Sequence, residues 1–457
     1  MNPSFRTSLL LLCLTLTITN SSAQEVLKLS LKEAVEYALE NNVMVKNAKL
    51  DHKAADHQVG ELLAIGLPQV NASAGLNDNI IIQKSIVDVS RFPGSSAPPG
   101  TKQVIEFTTQ YTAFMDVTLE QLIFDASYFV GLKAARIFKD LSFKDWKLSE
   151  IKTTEAVTKA YYTALINQER LELFERQLGT LDTLLQETII MNDNGVAEKI
   201  DVSRIKVQYN NVNVEKSRFA RIAALSVDLL KFQIGLPIAL PIELTENIQS
   251  ITLEASLNDL VNFDYSNRME YSQLQTNQSL KLINVQNLKS GYYPDLKAFA
   301  SLGANSGGFR FRDVSELNFG GTNRNWFESA SMGITLNVPI FDSFQKKNQI
   351  QNVKLQLEQI DNQFDFLQNN IDLQILQANN DLQSATENLN AQEENLELSR
   401  EIYDVSIIKY QEGVGSNIEV INATTTYTES EINYYNALYD VLIAQVDLQK
   451  ALGTLTN

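Results

Sequence analysis

A catalytic centre needs convergent nucleophiles, acids, bases or metal ligands, and this chain has little to build one from. Its only histidines, His52 and His57, lie five positions apart in a helical stretch. At 100° per residue they point about 140° apart, too far round the helix to grip one metal ion unaided. Cys13 is the only cysteine, and it sits in an apolar run behind bulky Leu12 rather than behind the small residue that lipid attachment needs. Neither a P-loop, an HExxH nor a GxSxG motif appears, and Gly413-x-Gly415 lacks the preceding strand of a dinucleotide site. The expectation is therefore no catalytic residue, no cofactor and no metal: not an enzyme. The residues with the best physical case cluster instead at two chain reversals. Gly195, with Val196 beside it, and Gly413, Val414 and Gly415, followed by Ser416, permit tight turns between antiparallel helices. Asp201 and Glu419 fall in the first turns that follow, where an acid complements the positive helix end.

Those two reversals are copies of each other. Asn194–Val202 aligns with Glu412–Val420 at a shift of 218 positions (413 − 195), and Gly235 maps onto Gly453 at the same shift. Upstream, Thr118-Leu119 and Phe124-Asp125 match Thr335-Leu336 and Phe341-Asp342 at a shift of 217 (335 − 118). A duplication of this size, with strands and very long helices in each copy, implies a large symmetric architecture.

The first residues read as a signal peptide, 1–23: basic Arg6, the apolar run Ser8 to Ile18, and a cleavage site at Ser21-Ser22-Ala23. The whole chain has 38 basic and 55 acidic residues, a net charge of −17. Removing Arg6 takes it to −18 (37 against 55), which argues against nucleic acid as a partner. No later segment reaches the roughly 18 consecutive apolar residues of a membrane-spanning helix. An exported chain can still cross a membrane as a β-barrel.

Period-two alternation marks the strands. From Gln69, Val70, Ala72, Ala74 and Leu76 face away from Asn71, Ser73, Gly75 and Asn77. From Phe107, an apolar face of Tyr111, Ala113, Met115, Val117 and Leu119 backs a polar face interrupted only by Phe114. The run is long enough for a lipid-facing outside and a wet lumen. Before it, Ser30-Leu31-Lys32-Glu33 reads as a capping box opening one helix to about Ile65. After it, one helix of roughly 100 Å is expected to Asn194. In the second copy, Ile350 to Ile371 keeps a 3,4 heptad spacing, and Ile375 to Leu396 resumes it. The stutter between those runs relaxes the supercoil, as a wide tube of helices requires.

The expected divisions are a first repeat, 24–235 (helix, β-hairpin 68–123, long helix 125–192, helix 196–234), a connector, 236–266, and a second repeat, 267–457 (helix, β-hairpin 294–340, long helix 343–411, helix 415–452). Together with Gly413 to Thr426, Leu29 to Asn42, and Val338-Pro339-Ile340-Phe341-Asp342, this order resembles the TolC family of outer-membrane efflux proteins. The resemblance implies a mixed α+β membrane protein. Four strands per chain complete a 12-stranded trimeric β-barrel, continued by a long α-helical coiled-coil barrel with an internal two-fold repeat. Four strands cannot close a barrel alone, whereas a homotrimer abolishes the edges.

The implied function is an exit duct in the cell outer membrane, extending into the periplasm of a Gram-negative bacterium. It would export small molecules such as drugs as part of a tripartite efflux system. Its partners would be outer-membrane lipid, a periplasmic adaptor (membrane fusion protein) and an inner-membrane pump. The exit duct of a type I protein secretion system and a trimeric coiled-coil surface scaffold stand as alternatives. Loops 83–106 and 306–324 would face outward, and the tips 191–202 and 409–420 would dock the adaptor. By the same resemblance, Asp193, Tyr403 and Asp404 are candidates for a periplasmic gate. Phe107, Tyr111, Trp326 and Phe327 are candidates for an interfacial girdle. The short tail after Gly453 departs from the family pattern and implies a slimmer equatorial belt.

Overall fold

The computed structural model describes residues 26–248, 263–320 and 325–455. The expected signal peptide, with Cys13, lies outside the described residues, as do residues 249–262 of the expected connector. The chain divides into two compact units, one of residues 53–141 and 276–361, the other of the remaining stretches.

The first unit carries a four-stranded antiparallel sheet in the order β2-β5-β7-β8. Its strands are β2 (Gln69–Asp78), β5 (Tyr111–Phe124), β7 (Asp295–Gly308) and β8 (Trp326–Asn337). Register puts directly paired residues on one face. Leu76, Ala113 and Ser306 share a row, as do Ala74, Met115 and Ala304, so the alternation of each strand adds up to one apolar face. Much of that face is exposed in the single chain, Met332 to 88% and Ile334 to 71%, whereas Ala113, Ala304 and Trp326 at its other end are buried. The other face carries Asn71, Ser73, Thr112, Asp116, Thr118, Ser301, Ser329 and Ser331.

Three features of this unit differ from expectation. The strand foreseen from Phe107 starts at Tyr111, leaving Phe107 outside the sheet. The stretch 83–106 is not only loop, because β3 (Lys84–Asp88) and β4 (Lys102–Glu106) pair as a hairpin around the proline-rich turn. Within the foreseen loop 306–324, β7 continues to Gly308 and a short helix, α6 (Phe311–Ser315), follows. Val314 of that helix packs with Ala113, Ala304 and Trp326.

The other unit is mainly helical. The foreseen first helix is two: α1 (Leu31–Asn41) and α2 (Val43–Ile65). Asn42 breaks it with an extended backbone (φ −60°, ψ 132°). Its Oδ1 accepts from the Met44 amide at 2.8 Å, and its Nδ2 donates to the Gln233 carbonyl at 2.7 Å. A tertiary carbonyl thus converts a mid-helix asparagine into a cap. The capping box at Ser30 forms, the Glu33 carboxylate accepting from the Ser30 amide at 2.8 Å. Short β1 (Leu27–Leu29) pairs in parallel with β6 (Ile242–Leu244), and the Tyr161 hydroxyl donates to the Leu29 carbonyl at 3.1 Å.

The helices α3 (Ala126–Asp193), α4 (Lys199–Ile234), α5 (Met269–Ser290), α7 (Gln345–Gln411) and α8 (Asn417–Leu452) complete the element order. The core of this unit is built on Tyr161, Leu165, Leu230, Ile234, Leu438 and Leu442. Along α7 the heptad seam is buried at Ile371, Ala378, Leu382 and Leu389. Beside the core, Glu155 takes Lys450 at 2.8 Å and Lys159 at 3.1 Å, and Lys159 also pairs with Asp447. Burial opposes the charge on Glu155, but its hydrogen bonds to Lys450 and Lys159 outweigh that and hold it below the ordinary carboxylate range.

Candidate functional site

Each reversal between a long helix and the helix that follows is closed by one left-handed glycine. Gly195 has φ 76° and Gly413 has φ 76°, a region that only glycine enters freely. In the first tip, the amides of Val196 and Ala197 donate to the Met191 carbonyl at 2.8 and 3.2 Å, and Asn192 Nδ2 donates to the Ala197 carbonyl at 2.8 Å. In the second, the amides of Val414 and Gly415 both donate to the Lys409 carbonyl at 2.9 Å. Ser416 caps α8 by accepting from the Glu419 amide at 3.3 Å, whereas Glu198, at the start of α4, makes no such side-chain bond. Asp201 lies 3.5 Å from Arg204 in the first turn of α4.

With their carbonyls satisfied locally, both tips present apolar side chains to solvent. Val196 is 78% and Val414 80% exposed, and Ile200 and Ile418 beside them are exposed too. The two pairs correspond at the 218-residue shift (414 − 196 and 418 − 200).

Above the tips lies a polar cluster spread over three helices. Tyr403 of α7 stacks on Tyr427 of α8, centroids 5.2 Å apart and planes 19° apart. The Tyr427 hydroxyl donates to Glu431 at 3.2 Å, and Arg176 of α3 approaches the same carboxylate at 3.9 Å. Burial pushes Glu431 above its ordinary range despite Arg176 and the Tyr427 hydroxyl, and burial likewise raises Tyr403 despite its hydrogen bond with Thr180. Nearer the tip, the Tyr410 hydroxyl meets that of Thr188 at 3.1 Å. Of the three gate candidates, Tyr403 belongs to this cluster. Asp404 is exposed on α7, and Asp193 is exposed as the last residue of α3.

Arg176, Thr180, Thr188, Tyr410, Tyr427 and Glu431 escaped the sequence reading. A signal for them exists: Tyr403 and Tyr410 are seven apart, and Tyr427 and Glu431 four apart, so each pair shares a helix face.

The girdle candidates separate. Tyr111 opens β5 with its ring edge-on to Phe311 at 6.0 Å. Trp326, 3% exposed, is buried under Phe319 on the apolar face. Phe327 points from the opposite, polar face, and Phe107 lies beyond the sheet. His52 packs against Phe143 and Trp146, centroids 5.6 and 6.0 Å away, as an aromatic of the helical unit.

Residues 266–454 match the outer membrane efflux protein family. The probable efflux pump outer membrane protein TtgC of Pseudomonas putida is 22% identical over 369 residues, 79% of this chain and 72% of that protein. The outer membrane protein TolC of Vibrio cholerae is 18% identical over 429 residues, 94% of this chain and 91% of that one. Among solved structures, the Vibrio cholerae outer membrane protein VceC superposes with a TM-score of 0.65 at 15% identity, over 93% of this chain and 96% of VceC. The open state of the Neisseria gonorrhoeae MtrE outer membrane channel gives 0.67 at 16%, over 93% and 88%. The sequence over 266–454 thus resembles the outer membrane efflux protein family, and over nearly the whole described chain the fold is that of these outer-membrane channels.

Proposed function

We propose that the chain is the outer-membrane exit duct of an efflux system, passing small molecules outward without chemistry of its own. The supporting observation is the sheet. One face is mainly apolar and largely exposed, the other mainly polar, and both edges, β2 and β8, are unpaired among the described residues. Successive antiparallel pairings leave β2 and β8 running in opposite directions, so β8 of one copy can continue into β2 of the next as another antiparallel pair. Three copies would close twelve strands (three times four), with lipid outside and water within.

In this reading the repeated helices line a periplasmic tunnel, and the exposed valines and isoleucines of the two tips receive a periplasmic adaptor that links the duct to an inner-membrane pump. The Tyr403–Tyr427–Glu431–Arg176 cluster braces the three helices behind those tips. The test is the mass of the purified protein in detergent together with its single-channel conductance in a planar bilayer. A trimer with discrete conductance steps supports the duct. A monomer, or a trimer that conducts at no voltage, sinks it.

A further inference from the structure

The polar face of the sheet is not uniformly polar. One register row runs Gly75, Phe114, Asn305, Phe327 across all four strands. Two phenyl rings of this row therefore stand on the face that the duct reading turns toward water, and a third, Phe299, lies three rows away over Gly333. Phe114 has a structural reason to be there, because its Cε1 lies 2.4 Å from where a Cβ on Gly75 would sit, so the ring covers the glycine. Phe327 has no such glycine beneath it: its neighbour in the row is Asn305, and it is 58% exposed against 38% for Phe114.

The next row on the same face is Ser73, Asp116, Gly303, Ser329. Ser73 Oγ donates to Asp116 Oδ1 at 2.5 Å. A Cβ on Gly303 would fall 3.1 Å from that of Asp116, so the glycine makes room for the acid. Two positions along a strand is about 7 Å, which sets the carboxylate one row from Phe114, while Phe327, two strands across at about 4.8 Å each, stands roughly 12 Å from it. Ring faces and a nearby carboxylate together favour a cation with an apolar body over a small hydrated ion.

Resting on the duct reading, we infer that Phe114, Phe327 and Asp116 form a selectivity layer inside the barrel for lipophilic organic cations. Three copies would place six rings (three times two) and three carboxylates around the passage. Amphiphilic cations would move across this layer by exchanging ring faces, while the carboxylates offset the loss of water around their charge.

The experiment is block of single-channel current through the full-length trimer by tetraphenylphosphonium, with tetraethylammonium as the hydrophilic control. The expected result is block by tetraphenylphosphonium at a lower concentration than by tetraethylammonium. Phe327→Ser, which uncovers no glycine, should raise the half-blocking concentration of tetraphenylphosphonium by about tenfold, the scale of a few cation–π contacts. Asp116→Asn should weaken block by both cations. Equal block by the two cations in the native protein, or unchanged block in a conducting Phe327→Ser trimer, overturns the layer and leaves the duct standing. A native protein that forms no channel overturns the duct, and the layer with it.

Discussion

Arg268 donates from Nη1 to the carbonyl of Ala451 at 2.9 Å, closing the last turn of α8. Asn42 does the same for α4 through Gln233, and the two accepting carbonyls are 218 positions apart (451 − 233). Just beyond each lies a left-handed glycine, Gly235 (φ 80°) or Gly453 (φ 76°). A Cβ there would meet the carbonyl oxygen of Asn41 at 2.9 Å or of Asn267 at 2.6 Å. The chain segments at 41–42 and 267–268 are thus clamped against the ends of the two 36-residue helices by one device with different side chains.

Arg268 is 5% exposed and also holds Glu270 at 3.2 Å and Gln374 at 3.1 Å. Replacing it with alanine strands these acceptors. Hydrogen bonds from a charged donor contribute about 1.5–3 kcal/mol, so Arg268→Ala should lower the apparent melting temperature of the helical signal in circular dichroism. An unchanged melting curve would show that the clamp is not needed.

Gly235→Ala combines left-handed backbone strain with a backbone clash at Asn41. Gly94, with φ 83° and open space around its Cα, carries the strain alone. Gly94→Ala should destabilise by about 1 kcal/mol and Gly235→Ala by distinctly more, up to about 3 kcal/mol. Equal losses in thermal melts would refute the close approach.

Two carboxylates titrate with opposite sign. Glu431 has a folded pKa above its unfolded value. Its contribution is fully present below the unfolded pKa and is lost as pH rises through the folded one. Glu431→Gln, which mimics the protonated acid, should therefore stabilise the protein at neutral pH and leave it unchanged in acid. Glu155 is lowered, so its contribution is present above the unfolded pKa and vanishes as pH falls through the folded one. Glu155→Gln should destabilise at neutral pH and converge with the native protein in acid. Melting temperatures of both variants across that range check the signs, and parallel curves would contradict them.

Val414 stands exposed on a tip whose backbone is closed by its own hydrogen bonds. Val414→Asp should leave trimer mass and conductance intact while lowering drug export on the order of tenfold, the scale of an interface anchor. Gly415→Ala should add a fold defect, because its Cβ would meet the Tyr410 nitrogen at 2.9 Å, whereas the matching position of the first tip already holds Ala197. Export by Val414→Asp at the native level would remove the tips from adaptor docking.

Patterns that repeat over short distances were legible in the chain. The two faces of the sheet follow from alternation within each strand, and the seam through Ile371, Ala378, Leu382 and Leu389 from heptad spacing. Phe107 was misplaced because alternation continues past the point where hydrogen bonding starts, and only pairing with β2 and β7 locates the end of β5. The hairpin of β3 and β4 was not legible because each strand is only five residues long, too short for alternation to stand out beside the Pro- and Gly-rich turn between them.

By itself, then, the sequence determined the strands' apolar and polar faces and the long helices with their glycine reversals, since each depends on residues a few positions apart. Tertiary structure alone decided the break at Asn42, the clamp of Arg268 on Ala451, the parallel pairing of β1 with β6, the cluster of Tyr403, Tyr427, Glu431 and Arg176, and the row that joins Phe114 to Phe327. Each of these joins groups far apart in the chain, and whether a polar side chain caps, pairs or stays in water depends on which distant carbonyl, carboxylate or ring the fold brings to it.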